Sequence, residues 1–225
     1  MTTPRFVRTS VALVKTHWPL ALASVTAVAL LVARAAFARN GTFLFLSFNL
    51  LLAWIPLPLA HAAVCASVRG HRLSSWLLAA AWLAWLPNAP YLVTDLLHFR
   101  QRPPVPAWLD LMLLVQFAWL GMTLGIRSLS LVHGEVERRH GAIVGWLFTA
   151  VCLGATSFGI YLGRFDRWNS WSMLTHPLSV AADVVEKMRH PLDNRGTYAF
   201  TAVCFAFLLI SYLSSHGPRR VRVRA

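Results

Sequence analysis

The sequence predicts an all-α membrane protein, a bundle of about six transmembrane helices, from its composition, its charge distribution and its long apolar runs. Of the 225 residues, 57% are hydrophobic and 13% are charged, whereas a soluble domain carries roughly 25% charged residues. The mean hydropathy is +0.55. Many of the 10 tryptophans lie at the ends of apolar runs, where aromatic rings favour the headgroup level. Much of the surface is therefore expected to face lipid.

Six apolar segments are long enough to cross the membrane, which takes about 20 residues per helix. No soluble domain fits between them, so we predict a single transmembrane domain over residues 1–225. The third segment is the least regular, because Pro87 and Pro90 interrupt its end. The predicted spans lie near residues 18–37, 43–64, 73–91, 108–126, 141–162 and 197–214.

The N-terminal segment allows a second interpretation. Arg5, Arg8 and Lys15 precede an apolar stretch that ends in Ala33-Arg34-Ala35 or Ala36-Phe37-Ala38, an order that resembles a signal peptide with a small-residue cleavage site. The apolar stretch is long for a signal sequence, so we expect a retained first span. Cleavage is the alternative, and it would leave five spans.

The positive charges predict the orientation of the bundle. With the N-terminus in the cytoplasm, the cytoplasmic segments carry 12 Lys and Arg residues and the opposite segments carry 9, as the positive-inside rule requires. Both termini are then cytoplasmic. The net charge of +13 lies in short connections and in an arginine-rich tail. That tail suits anionic lipid headgroups, and it has neither the fold nor the aromatics of a nucleic-acid site.

The longest connection, residues 163–196, is predicted to hold an amphipathic helix over residues 177–189. Pro177 suits the first turn, and the step from His190 to Pro191 ends the helix. We expect this helix to lie on the outer surface or to pack on the bundle. Its apolar positions recur at helical spacing, at Leu178, Ala181, Ala182 and Val185.

Ordinary catalytic and metal-binding signatures are missing from the sequence. Cys65, Cys152 and Cys204 lack metal or redox spacing, and no nucleophile elbow, zinc-protease motif or phosphate-binding loop occurs. His61, His133 and His140 look isolated. We predict no metal site, and the sequence implies no particular cofactor.

Three side-chain amides lie within the apolar runs, at Asn49, Asn88 and Gln116. An unmatched polar group in lipid costs several kcal/mol, so each amide needs a partner. They can bond one another, or Tyr161 and Ser157 of the fifth span. All three amides fall in the outer halves of their spans, which predicts one polar pocket open to the outer side.

Two interpretations of the proline pair remain open. Each proline removes a backbone donor and frees a carbonyl four residues earlier. Such irregular backbone is tolerated where it is buried or lines a cavity, and Asn88 then caps or bridges the break. Alternatively the helix simply ends there, and Thr94 or Asp95 caps the next helix.

Charged residues near these segments supply the candidate chemistry. Asp95 and His98 share a helix face and, with Asp166, are the candidate catalytic residues; the alternative is a solvated helix start. Arg164 suits a phosphate or carboxylate, unless it anchors the loop through Asp166. The candidate ligand-binding residues are Asn49, Asn88, Tyr91, Thr94, Gln116, Tyr161, Arg164, Arg167, Asn169 and Ser170.

Two stretches resemble a known family. WLPNAPY at residues 85–91, followed by Thr94, Asp95 and His98, and GIYLGRF at 159–165, followed by RWNSW at 167–171, are similar to the two signatures of the bacterial membrane-protein family catalogued as domain of unknown function 1361. The resemblance extends from about the second span to the sixth. It implies a multi-pass protein of the bacterial plasma membrane whose two stretches form one constellation, and it implies no activity.

Three functional hypotheses follow. The first is a protein that binds or transports a small polar or lipidic ligand at its outer face. The second is a membrane enzyme that acts on an outer-leaflet or lipid-linked substrate through Asp95 and His98, with Arg164 and Asp166. The third is a structural or assembly partner, whose protein partners the sequence does not identify. The lipid bilayer is an expected partner in all three.

Overall fold

Helices form the regular structure of the part of the chain that the structure describes. The computed structural model describes residues 5–168, 175–190 and 193–215, and these residues contain no strand. Six helical segments are long and apolar enough to cross a membrane, which confirms the predicted fold class. They are His17–Ala38, Phe45–Val68, Arg72–His98, Ala107–His140, Ala142–Arg164 and Arg195–Ser215.

Breaks in the second and third spans divide them into shorter helices. The second span starts a new helix at Pro56, which suits the first turn because proline lacks the amide hydrogen. The third span ends in a 3₁₀ turn, Asp95–His98. The helices are α1 Arg5–Ala38, α2 Phe45–Trp54, α3 Pro56–Val68, α4 Arg72–Trp85, α5 Asn88–Thr94, α6 Ala107–His140, α7 Ala142–Arg164, α8 Pro177–Arg189 and α9 Arg195–Ser215.

Helix α6 is the centre of the bundle. Half of its membrane segment is buried, more than in any other described span. Leu113 and Phe117 join a core with α1, α2 and α5, whereas Leu129 and Val132 join a second core with α3, α4, α7 and α9. The helix continues to His140, past the predicted end at residue 126, and so carries two separate cores.

Exposed apolar side chains cover the outside of the spans. Trp18, Trp76 and Trp108 are more than half exposed, and they lie near the starts of the first, third and fourth spans. Tryptophan is enriched at this depth because its ring is amphipathic. These faces are therefore suited to lipid and its headgroup region.

Successive spans run in opposite directions, so the end of one span lies beside the start of the next. The polar side chains collect at the two ends of the bundle. One end holds the ends of α1 and α7, the 3₁₀ turn and the starts of α2 and α6; we call it the Asp95 end. The other holds the ends of α3 and α6, where Arg138 and Arg139 pair with Glu135 at 2.8 and 2.6 Å. We call it the Glu135 end.

Helix α8 has the predicted bounds, but it presents a different face to the protein. Leu178 and Val185 belong to the predicted apolar stripe, and they are 84% and 43% exposed, whereas Val180 is 8% exposed. Asp183 and Lys187 lie on the protein side, where they form an ion pair at 3.2 Å. The apolar stripe is therefore free to contact the membrane interface.

Candidate functional site

Asp95 lies at the centre of a polar network that joins three spans. Its side chain is 1% exposed. Oδ2 accepts a hydrogen bond from Asn49 Nδ2 of α2 at 2.9 Å, and Oδ1 accepts one from Arg164 Nη1 of α7 at 3.3 Å. A carboxylate at this depth needs such partners, because an unpaired buried charge is costly. Both carboxylate oxygens are thus engaged by the protein itself.

The Arg164 guanidinium connects the end of α7 to the end of the third span. It donates to the Tyr91 hydroxyl at 3.2 Å, to Asp95 and to the Thr94 carbonyl oxygen, and Nη2 lies 3.2 Å from His98 Nδ1. It also lies 5.3 Å from the centre of the Tyr91 ring. Since these contacts occupy both terminal nitrogens, the residue is arranged as a clamp between two helices.

His98 lies at the rim of this network. Its Nδ1 is 3.8 Å from Asp95 Oδ1 and 3.3 Å from the Asp95 carbonyl oxygen, and its side chain is 44% exposed. The ring contacts Phe45, with the ring centres 5.0 Å apart. Asp95 and His98 therefore share one face. A catalytic role for the pair stays a prediction.

The helix break at Pro87 and Pro90 is bridged by a side chain. Leu86 and Pro87 keep helical backbone angles, so the chain continues through the span. The Ala89 amide bonds the Leu86 carbonyl, and Asn88 Nδ2 donates to the Trp85 carbonyl at 2.9 Å. The broken-helix interpretation describes this segment, because neither Thr94 nor Asp95 caps a new helix.

Two glycine pairs that the sequence analysis overlooked hold the broken segment closely. On α6, Cβ atoms at Gly121 and Gly125 would meet Ala89 and Pro90; on α7, Cβ atoms at Gly159 and Gly163 would meet Pro87 and Tyr91. Each pair has the G-x-x-x-G spacing that lets membrane helices approach closely. That spacing was readable in the sequence.

A cavity of about 600 Å³ lies beside the break, between α2, α4 and α7. This volume is within the range of roughly 300–1,000 Å³ usual for small-molecule sites. Its lining is largely apolar, and Asn49, Asn88 and Tyr91 contribute the polar groups on its helical walls. Phe48 and Ala155 belong to the lining and are exposed on membrane-spanning helices. The cavity is thus accessible from the lipid side.

Helix α8 covers one part of the same cavity. Val180 and Val184 contribute to the lining, together with Trp168. The Trp168 indole donates to Asp183 at 3.0 Å. These contacts place an amphipathic helix at the Asp95 end of the cavity.

Asp166 contacts α8, where its carboxylate pairs with Lys187 Nζ at 3.3 Å. Burial lowers the pKa of Lys187, but the hydrogen bond to Asp183 and the negative charge of Asp166 outweigh that effect, so the net pKa is raised. The Lys187 ammonium therefore stays charged at neutral pH. This ion pair is the contact the structure describes for Asp166.

The remaining predicted site residues are dispersed. Gln116 bonds Thr26 at 3.4 Å between α1 and α6, so it does not meet Asn49 or Asn88.

Tyr161 packs its ring against Phe165 and Phe200. The Thr94 hydroxyl bonds its own helix, Ser157 bonds the Leu153 carbonyl, and Arg167 is exposed. Asn169 and Ser170 lie outside the described residues.

A second buried ion pair lies at the Asp95 end. Arg34 of α1 donates to both carboxylate oxygens of Asp110 at the start of α6, at 2.9 and 3.1 Å, and to Asn40 at 2.6 Å. Both side chains of the pair are almost fully buried. This pairing was not predicted, although an arginine inside an apolar run indicates a buried acidic partner.

Two of the three histidines that look isolated in the sequence, His61 and His133, have side-chain partners. His61 Nε2 lies 3.2 Å from His17 Nε2, and Arg127 lies 3.4 Å from His17 Nδ1. An arginine can only donate, so it favours the His17 tautomer that carries its proton on Nε2. His133 is buried and bonds Tyr212 at 2.7 Å. Within the described part of the chain, no group of three or more metal-ligating side chains occurs.

Comparison with known proteins identifies a family. A family model described as a protein of unknown function, DUF1361, matches residues 48–211, a range that contains both signature stretches and most residues of the Asp95 network. No curated protein and no solved structure matches the chain.

Proposed function

The chain belongs to the DUF1361 family of proteins of unknown function, and from its geometry we propose that it binds an amphipathic, lipid-like ligand in the cavity between α2, α4 and α7. The observation that carries the proposal is the combination of an apolar lining with a few polar groups at one end. That combination is typical of sites for small, largely apolar ligands.

The position of the cavity supports a ligand that arrives from the membrane. Phe48 is 53% exposed, and Ala80 and Ala155 are exposed on α4 and α7. All three lie in membrane-spanning segments and belong to the lining. A lipid tail can therefore reach the cavity without crossing a polar surface.

The geometry supports the enzyme hypothesis less. Neither Asp95 nor His98 belongs to the cavity lining, and Asp95 already engages Asn49 and Arg164. A general acid or base must lie within hydrogen-bond reach of the reacting group. Catalysis by Asp95, His98 and Asp166 would need the network to rearrange first.

We also propose that the protein resides in a bacterial plasma membrane with both termini in the cytoplasm. The excess of Lys and Arg on the Glu135 side supports this orientation. The Asp95 end and its cavity would then belong to the outer half of the bilayer.

Photolabelling tests the binding proposal. A hexadecanol analogue with a diazirine in its chain is added to the protein in nanodiscs, and labelled peptides are mapped. We expect saturable labelling of the α7 peptide around Ala155–Leu162, and competition by unlabelled hexadecanol. Ala155→Trp should reduce that labelling roughly tenfold, because the indole fills the cavity and a ligand forced into a filled site is destabilised by overpacking.

The matched control is Val151→Trp, one turn away on the same helix. Val151 is 68% exposed and is not part of the cavity lining, so this variant should retain the labelling. Labelling that unlabelled hexadecanol cannot compete away in the wild type would refute the proposal, whether or not the variants fold.

A further inference from the structure

The hydrogen-bond directions in the Asp95 network define the polar group that the cavity can recognise. Asn49 Nδ2 donates to the Asp95 carboxylate, which fixes the orientation of the amide because a carboxylate only accepts. The amide oxygen of Asn49 has no donor among the described residues. It is thus an available acceptor on a side chain that lines the cavity.

Tyr91 supplies the complementary group. Its hydroxyl oxygen accepts a hydrogen bond from Arg164 Nη1 at 3.2 Å. The hydroxyl proton consequently points away from Arg164, and no acceptor for it occurs in the described part of the chain. Tyr91 also lines the cavity, so the cavity offers one free donor beside one free acceptor.

The described lining of the cavity carries no charge. None of the described residues that line it is acidic or basic, and Asp95 and Arg164 neutralise each other behind Asn49 and Tyr91. An anionic group would have to break this pair to reach Arg164, and a cationic group would have to break it to reach Asp95. Burying either charge unpaired would be costly.

We propose that the ligand is a single-chain amphiphile with an uncharged head that both donates and accepts a hydrogen bond, such as a long-chain alcohol or a primary amide. This inference rests on the proposed function and specifies its ligand class. The head bonds the Asn49 amide oxygen and the Tyr91 hydroxyl, while the chain occupies the apolar part of the cavity. Asp95 and Arg164 act as positioning residues that orient these two side chains.

Competition against the hexadecanol photolabel tests the ligand class on the wild-type protein in nanodiscs. The competitors share one chain length and differ in the head: hexadecanol, hexadecanamide, hexadecyl sulfate, hexadecyltrimethylammonium and hexadecane. We expect the alcohol and the amide to compete about tenfold or more better than the two charged amphiphiles, and better than hexadecane.

Variants that remove one side-chain oxygen atom identify the protein groups that hydrogen-bond the polar head of the ligand. Tyr91→Phe removes the donor and should weaken competition by hexadecanol by roughly five- to tenfold, while competition by hexadecane stays unchanged. Thr123→Val, which removes a hydroxyl that bonds its own helix on α6 outside the cavity lining, should change neither. An effect of Tyr91→Phe on hexadecane as well would indicate damaged packing and count against the inference.

The outcomes separate this inference from the proposed function. If hexadecyl sulfate competes as well as hexadecanol for saturable labelling of the cavity, the uncharged-head class is wrong and the lipid-binding proposal stands. If hexadecane does so, the polar head contributes nothing, and the amphipathic character of the proposed ligand is wrong as well. If no competitor reduces labelling of the α7 peptide, both proposals fail.

Discussion

At the residue scale, this protein places several ionisable side chains inside its membrane-spanning helices. Two buried ion pairs among the described residues join side chains of different helices. Arg34 pairs with Asp110, and Arg164 pairs with Asp95. A charge in hydrocarbon is costly unless it is paired, so these contacts constrain which helices can be neighbours. The two pairs attach α1 and the third span to α6 and α7 at the same end of the bundle.

Removal of one partner of such a pair should be strongly destabilising. Asp95→Ala leaves Arg164 without its carboxylate and Asn49 without its acceptor, so we expect a loss of about 3–5 kcal/mol. Thermal unfolding in detergent measures it as a lower midpoint. Asp193→Ala is the control, because Asp193 is 82% exposed and an exposed pair contributes roughly 0–1 kcal/mol. Equal midpoints for the two variants would show that the Asp95 network is not structural.

At the element scale, the broken third span depends on glycines in its neighbours. Gly121 of α6 faces the Ala89 carbonyl oxygen, and Gly159 of α7 faces Pro87 Cγ, which a Cβ atom would approach to 2.8 Å. The break and the glycine pairs therefore form one packing unit. Any movement of α6 or α7 at these positions would also move Asn88 and Tyr91 at the cavity.

Gly121→Ala should reveal how tightly this unit is packed. The added methyl group would overlap backbone of α5, and backbone cannot rotate away as a side chain can. We expect a loss of about 1–3 kcal/mol or more, measured as a lower thermal midpoint in detergent.

The control for this substitution is Gly134→Ala, on the same helix. A Cβ atom there would meet nothing within 4 Å. Alanine favours a helix by about 1 kcal/mol over glycine, so the control should be neutral or slightly stabilising. A neutral Gly121→Ala variant would mean that α5 and α6 are packed more loosely than the structure indicates.

At the scale of the whole molecule, the bundle is polar at both ends, but the cavity lies towards the Asp95 end. Lipid-exposed side chains surround the spans, and α6 separates two cores. The distribution of Lys and Arg supports the proposed orientation, which directs the Asp95 end outward.

Cysteine labelling of intact cells tests that orientation. A membrane-impermeant maleimide should label Arg100→Cys, which is exposed beyond the 3₁₀ turn, without permeabilisation. It should label Arg69→Cys, exposed after α3, only once the membrane is opened. The reverse pattern would overturn the topology and would move the cavity to the cytoplasmic half of the bilayer.

The sequence by itself determined the class of this protein. Long apolar runs and scarce charge predict six spans, because a helix in lipid satisfies its own backbone. Proline and helical spacing predict α8 over residues 177–189, as observed. Hydrophobicity and local backbone preferences are properties of short segments, so they can be read one segment at a time.

The tertiary structure alone decided which side chains meet. Asn49 and Arg164 converge on Asp95 from separate spans, whereas Gln116 and Asp166 lie in other contacts. Val180 of α8 faces the cavity in place of the predicted apolar stripe. Such pairings depend on helix rotation and on close packing at Gly121 and other glycines. They are set by the fit between helices, which no single segment encodes.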